Sequence, residues 1–229
     1  MSGLIRYSTI GKGMKREFLL LQGLGCRWRK CTFCDYYLDA SADPFMINKP
    51  VLEQVTGEYG VLDIINSGSA PELDSRTIDM VADVAISRNI HDLWFEAHWI
   101  YRNELQAFSK RFPCRVHYRL GVESFNPDLR IAWHKGIGRE ATPELIRSYC
   151  DGVCLLAGVK GQTEKDIMDS IGIAEKYFDY YSVNLFCPNT TAMEKDEELS
   201  RAFIEKLLPE ITKSTKAEIL IENTDLGVG

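Results

Sequence analysis

No apolar run in this sequence approaches the roughly 20 residues that cross a membrane as a helix. Met1 to Gly13 contains no apolar block of the signal-peptide kind. No membrane partner is expected, and the protein is expected in the cytoplasm. An excess of basic charge is also missing: 27 Lys and Arg stand against 33 Asp and Glu, a net charge of −6. A protein that grips a DNA or tRNA backbone carries a basic face or stripe, whereas here the two signs are interspersed. The balance gives no strong nucleic-acid signal and favours a small-molecule substrate. The one basic concentration, Arg27-Trp28-Arg29-Lys30, suits an anionic ligand and equally well a solvated loop face.

A second clustered set of cysteines is absent too. Of the 7 cysteines, Cys114, Cys150, Cys154 and Cys187 are scattered in mostly apolar surroundings, the usual setting of inert buried thiols. They imply no auxiliary cluster domain. Repeats and low-complexity segments are likewise missing. The 229 residues, 45% hydrophobic and 26% charged, make an ordinary globular balance, read as a single domain over 1–229.

What is present is Cys26-Arg-Trp-Arg-Lys-Cys31-Thr-Phe-Cys34, three thiols at C-x4-C-x2-C spacing after the apolar run Phe18 to Leu21. Soft thiolates select zinc, copper(I) or iron–sulfur clusters. A closed site normally takes four protein ligands, and the local set stops at three. Two readings of the metal stand: zinc completed by a distant ligand, which would make a non-catalytic zinc-binding module, or a 4Fe–4S cluster with one iron open to a small molecule. Disulfides are disfavoured in a reducing compartment.

Along the chain, strand-like and helix-like runs alternate. Strands are expected at Leu4–Ile10, Glu17–Gln22, Val61–Ile65, Asp92–Ala97, Arg115–Val122, Gly152–Ala157, Tyr181–Phe186 and Ala217–Ile221. Helices are expected at Pro50–Glu58, Asp74–Ser87, Arg102–Lys110, Pro127–Trp133, Glu144–Tyr149, Glu164–Phe178 and Glu197–Leu208. Repeated strand–helix units with short connections favour parallel pairing and right-handed crossovers. The expected fold is therefore α/β, a partial TIM-type (β/α)6 barrel, with the active site at the C-terminal strand ends. Those ends carry the cysteine loop, Asn66-Ser67-Gly68-Ser69, Glu96 with His98, Glu123-Ser124, Gly158 to Gly161, and Asn184 with Asn189. His134 and Lys135, in a turn beyond the fourth barrel strand, read as surface or lid residues.

These motifs, in this order, resemble the radical S-adenosylmethionine (SAM) superfamily over nearly the whole chain. That superfamily carries C-x3-C-x2-C after the first barrel strand. Phe33 matches the aromatic residue before its last cysteine, and the x4 spacing from Cys26 to Cys31 departs from the usual x3. The resemblance implies that Cys26, Cys31 and Cys34 ligate a 4Fe–4S cluster and carry the catalysis. It implies further that Phe33, Ser67, Gly68, Ser69, Glu123, Ser124, Gly158 and Gly161 bind SAM. The free iron would hold SAM by its amino and carboxylate groups, and one electron would release methionine and a 5′-deoxyadenosyl radical. The protein orients while the cofactor supplies the reactive chemistry. An electron donor such as flavodoxin or ferredoxin is implied.

Asn66 to Ser69 and the stretch Gly121 to Gly136 are similar to members acting on 7-deazaguanines, in particular the small queuine lyases of queuosine salvage. That likeness implies cleavage of the carbon–nitrogen bond to the cyclopentenediol of queuine, releasing 7-aminomethyl-7-deazaguanine. A deazaguanine edge offers N–H donors, and its diol offers further partners. Glu96, His98, Tyr36, Asp35, Asn184 and Asn189 are the candidates by position, with Glu96 foremost because a carboxylate ending an apolar strand needs a partner when buried. Another small radical SAM activity, deazapurine synthase-like or peptide-modifying, is the alternative enzyme reading.

Overall fold

The computed structural model describes residues 4–229 of the chain. Among these residues eight strands stand in chain order: β1 (Tyr7–Ile10), β2 (Arg16–Leu21), β3 (Val61–Asn66), β4 (Asp92–Ala97), β5 (Arg115–Glu123), β6 (Gly152–Ala157), β7 (Tyr180–Leu185) and β8 (Ala217–Leu220). The α-helices are α1 (Phe45–Leu52), α2 (Ser75–Ser87), α3 (Leu105–Ser109), α4 (Pro127–Ala132), α5 (Pro143–Arg147), α6 (Glu164–Tyr177), α7 (Glu197–Ala202) and α8 (Leu208–Ile211). β1 pairs antiparallel with β2, and the pairs β2–β3, β3–β4, β5–β6, β6–β7 and β7–β8 are parallel. This α/β class, and the strand–helix alternation from β2 to β7, agree with the partial barrel expected from the sequence. Among the described residues no helix is long and apolar enough to cross a membrane.

Contacts divide the chain into two units. The first takes the N-terminal segment up to Arg29, Tyr36–Tyr118 and Asn223–Gly229; the second takes Lys30–Asp35 and Arg119–Glu222.

In the first unit β2 and β3 are buried along nearly their whole length, as parallel strands covered on both faces must be. Three charged side chains enter this core. Arg16 and Asp63, both fully buried, neutralise each other through Nε to Oδ2 at 2.7 Å. Glu17, also buried, accepts from Tyr7 OH, Thr56 N and Gly57 N, each at 2.7 Å. That carboxylate explains a departure from the sequence reading. Instead of a helix from Pro50 to Glu58, α1 begins at Phe45 and stops at Leu52 with Pro50 inside it. Glu17 holds residues 56 and 57 out of helical geometry, and Gly57 adopts φ +81° where a Cβ would strike the Arg88 carbonyl. α2 starts as expected, with Asp74 accepting from Thr77 N at 3.2 Å and Ile78, Val81 and Ala85 turned inward. The helix expected from Arg102 to Lys110 shortens to α3, preceded by a 3-10 turn at Trp99–Tyr101.

In the second unit β6 is buried at every position, and Thr163 with Asp166 forms a capping box that starts α6. Cys150 and Cys154 are buried, and Cys150 Sγ donates to Ile146 O at 3.4 Å. Burial pushes the Cys150 thiol up to about 12, which makes it inert. The helix expected from Glu197 to Leu208 is α7, then a π-helical stretch, Phe203–Leu207, then α8. Pro209 lacks the N–H that an α-helical ladder needs there.

Candidate active site

In the first unit the chain leaves β2 at Gly23 and meets the end of β3. Ser67 Oγ accepts from Gly23 N at 2.8 Å, and Ser69 Oγ accepts from His98 N at 3.0 Å. The expected SAM segment thus ties three strand ends together. At its centre lies a residue the sequence reading missed. Glu72, 8% exposed, accepts from Ser69 N through Oε2 and from Arg27 N and Tyr101 OH through Oε1, the latter at 2.8 Å. Burial and this carboxylate hold the Tyr101 phenol above its ordinary range, so it remains a donor. The signal was Ser69-x-x-Glu72, the pattern in which an acidic residue reaches back to a cap N–H.

Glycine is required inside this cradle. A methyl at Gly68 would run into Glu72 Oε2 and come within 3.0 Å of Gly25 O, and one at Gly23 would lie 2.9 Å from Asn66 Nδ2. Asn66 donates through Nδ2 to Ser69 O at 3.2 Å, while its buried Oδ1 has no hydrogen-bond partner among the described residues. An orphaned buried acceptor costs about 1–3 kcal/mol; a ligand bringing an N–H donor removes that cost. Cys26 Sγ accepts from Arg29 N at 3.4 Å, with Arg29 at φ +53°. Trp28 stacks on His98 with ring centroids 5.2 Å apart. His98 Nδ1 accepts from Ile100 N at 3.3 Å, which leaves Nε2 to carry the ring N–H.

The second unit holds Cys31, Phe33 and Cys34. Phe33 packs with Trp133, Leu156, Val159 and Phe186, and both cysteines lie against that cluster. Thr32 N donates to Trp133 O at 3.1 Å. Beyond the thiols the loop is clamped from the segment after β7. Asn189 Nδ2 donates to Phe33 O at 2.7 Å, and Asp35 Oδ2 accepts from Thr190 N at 2.9 Å and Thr190 Oγ1 at 2.8 Å. Two residues expected at the substrate therefore hold the cysteine loop.

Lys135 corrects the sequence reading outright. His134 is exposed, as a surface residue should be, but Lys135 is only 6% exposed. Its Nζ lies 2.8 Å from Glu123 Oε1 and 5.5 Å from the centroid of the Phe33 ring. The end of α4 explains why. Lys135 N donates to Arg130 O at 2.9 Å and His134 N to Ile131 O at 3.1 Å, with His134 at φ +52°. This is a Schellman ending, which turns the second residue beyond the cap back toward the interior. Its left-handed position holds His134 where glycine is usual, so the inward aim of Lys135 was not legible. Burial alone would lower the Lys135 pKa, but Glu123, Cys31 and Cys34 outweigh it and hold the ammonium charged. Glu123 takes φ +66° at an irregularity in the β5–β6 pairing, and strain of this kind collects at functional sites. Gly121 leaves room for the pair, since a methyl there would lie 2.8 Å from Glu123 Oε1 and 2.9 Å from Lys135 Nζ.

The other expected residues are placed as follows. Glu96 is half-buried at the penultimate position of β4, and Tyr36 is 59% exposed in a 3-10 turn, Tyr36–Leu38. Ser124 is fully buried, with Oγ accepting from Asn126 N at 3.1 Å and 3.3 Å from Ser170 Oγ of α6. Gly158 has φ +81°, and a Cβ there would lie 2.6 Å from Ser200 Oγ; Gly161, at φ +89°, has open space around it. Asn184 is half-buried on β7, and its Oδ1 has no hydrogen-bond partner among the described residues.

Among the described residues no group of three or more His, Cys, Asp or Glu side chains is gathered to hold a metal ion. None of the 7 cysteines forms a disulfide. The donor set itself, soft cysteine sulfur, suits a thiolate-bound cluster: Cys26 Sγ accepts a backbone N–H in the first unit, and Cys31 and Cys34 pack against the Phe33 cluster in the second. The glycine-lined cradle with its orphaned Asn66 Oδ1 suits a ligand that carries an amino group.

Comparisons with protein-family models and with curated proteins gave no match. Among solved structures, a queuine lyase from Clostridium spiroforme, bound to SAM and queuine, is 36% identical, covers 99% of this chain and 100% of that chain, and superimposes with a TM-score of 0.94. At that identity along almost the full length of both chains, this protein belongs to the queuine lyase family of radical SAM enzymes.

Proposed function

We propose that the chain is itself a queuine lyase, with residues 1–229 working as one radical SAM domain that cleaves the carbon–nitrogen bond between the cyclopentenediol and the 7-aminomethyl-7-deazaguanine. The observation that carries this reading is the 36% identity, over 99% of the chain, to an enzyme bound to SAM and queuine. Cys26, Cys31 and Cys34 would hold a 4Fe–4S cluster. Bound there, the reduced cluster would supply the electron that breaks SAM into methionine and a 5′-deoxyadenosyl radical.

The chain's own work is to bind and orient. Asn66 Oδ1, with the Ser67-Gly68-Ser69 backbone, receives the SAM amino group, and Glu72 keeps that backbone in place. Gly158 and Gly161 give close backbone approach beside the adenine. Glu123 and Ser124 stand by the SAM ribose and methionine, and Ser124 Oγ lies 3.3 Å from Ser170 Oγ. Phe33 shields the site from water together with Trp133. For the substrate, Glu96 and Asn184 Oδ1 accept from the deazaguanine N–H groups, and His98 Nε2–H and Tyr36 OH meet the diol. Asp35 and Asn189 act one step removed, by holding the cysteine loop. The reductant is a flavodoxin or ferredoxin, and the setting is the cytoplasm.

The test is anaerobic turnover of the reconstituted protein with SAM, dithionite and queuine, read by mass spectrometry. The reading expects 5′-deoxyadenosine and 7-aminomethyl-7-deazaguanine to rise together. Queuine left intact while 5′-deoxyadenosine forms would remove the substrate assignment and leave the family.

A further inference from the structure

Lys135 has no part in the proposed function, yet its charge is buried in the second unit. Four separate features serve it. The Schellman ending of α4 turns it inward through Lys135 N to Arg130 O at 2.9 Å. Gly121 leaves the space that a methyl would fill. Glu123, at a strained φ of +66°, grips Nζ at 2.8 Å. Phe33, between the two cysteines in sequence, presents its ring face to Nζ at 5.5 Å. The backbone bond from Thr32 N to Trp133 O, at 3.1 Å, fastens the cysteine loop to the same segment.

A buried ion pair adds little net stability compared with apolar packing. The pair also has a direction, because the ammonium end carries the contact with Phe33. We propose that Lys135 is a positioning residue that acts through electrostatics on the metal cluster, its fixed positive charge over the Phe33 ring against which Cys31 and Cys34 pack favouring the more negative, reduced state. This inference rests on the proposal that those cysteines hold a 4Fe–4S cluster. Three thiolates make such a cluster anionic, and one electron makes it more so, so a nearby cation raises the reduction potential. The electron comes from the external reductant, and no atoms are exchanged in the step. The consequence is that the reduced state comes within reach of a biological donor.

The experiment is a redox titration of the reconstituted protein, with the reduced cluster followed by electron paramagnetic resonance. Lys135→Met should shift the reduction equilibrium about tenfold toward the oxidised state, or about 59 mV more negative for a one-electron couple. Glu123→Gln, which leaves the ammonium uncompensated, should shift it in the opposite direction. Lys135→Arg should stay near wild type. A purely structural pair would lower cluster content in both non-conservative variants without shifts of opposite sign. If Lys135→Met folds too poorly to load, the Glu123→Gln titration decides, and an unchanged potential there overturns the inference. A wild-type protein that assembles no 4Fe–4S signal would instead overturn the cluster reading beneath it. A normal wild-type signal with unshifted variants overturns only the role of Lys135.

Discussion

Glu72 in the first unit and Glu123 in the second are each 8% exposed, yet they are satisfied by different means. Glu72 is surrounded by neutral donors: the N–H groups of Ser69 and Arg27 and the hydroxyl of Tyr101. Glu123 is held by a buried ammonium at 2.8 Å. A carboxylate satisfied by backbone N–H groups and a phenol organises the chain around itself and holds that phenol protonated. A carboxylate satisfied by lysine holds a second charge in place, and that charge acts on its neighbours. The first region is therefore built for shape and the second for electrostatics.

Four changes test that contrast, from the largest effect to the smallest. Cys34→Ser removes a soft donor from the side Lys135 bears on. 5′-Deoxyadenosine formation should fall to the background of an anaerobic SAM-cleavage assay while circular dichroism stays native. Lys135→Met strands Glu123 in the interior, and breaking a buried pair costs about 3–5 kcal/mol, readable as a lower midpoint in urea unfolding. Glu72→Gln turns an NH2 group toward one of two backbone N–H groups that now find an oxygen. It should cost about 1–3 kcal/mol in the same unfolding assay and weaken SAM binding by calorimetry. A loss as large as that of Lys135→Met would erase the contrast. Asn189→Ala removes the bond to Phe33 O and should cost about 1 kcal/mol, with faster bleaching of the reconstituted cluster in air as the sharper readout.

The contrast also separates what was legible in the sequence from what was not. Local patterns carried far: the thiol spacing, the alternation that sets the strand ends, and the Asp74 cap could each be read within a few residues. Glu72 was legible as well, because Ser69-x-x-Glu72 is a short-range pattern, although it passed unnoticed. Lys135 was hidden because its turn places His134, not glycine, at the left-handed position. The hydrogen bonds of Asp35 and Asn189 were not legible because the partners lie far apart along the chain; Asp35 meets Thr190 across 155 positions. The helix at Pro50 failed for a related reason, since its end is set by the distant carboxylate of Glu17. Long-range hydrogen bonds leave no trace in periodicity or spacing.

The proposed chemistry directs a SAM-derived radical at the cyclopentenediol of queuine. The most direct measurement is turnover with queuine deuterated on that ring, followed by mass spectrometry of the 5′-deoxyadenosine. One deuterium is expected in the recovered 5′-deoxyadenosine, appearing alongside 7-aminomethyl-7-deazaguanine. Unlabelled 5′-deoxyadenosine with the deuterated queuine recovered whole would contradict it.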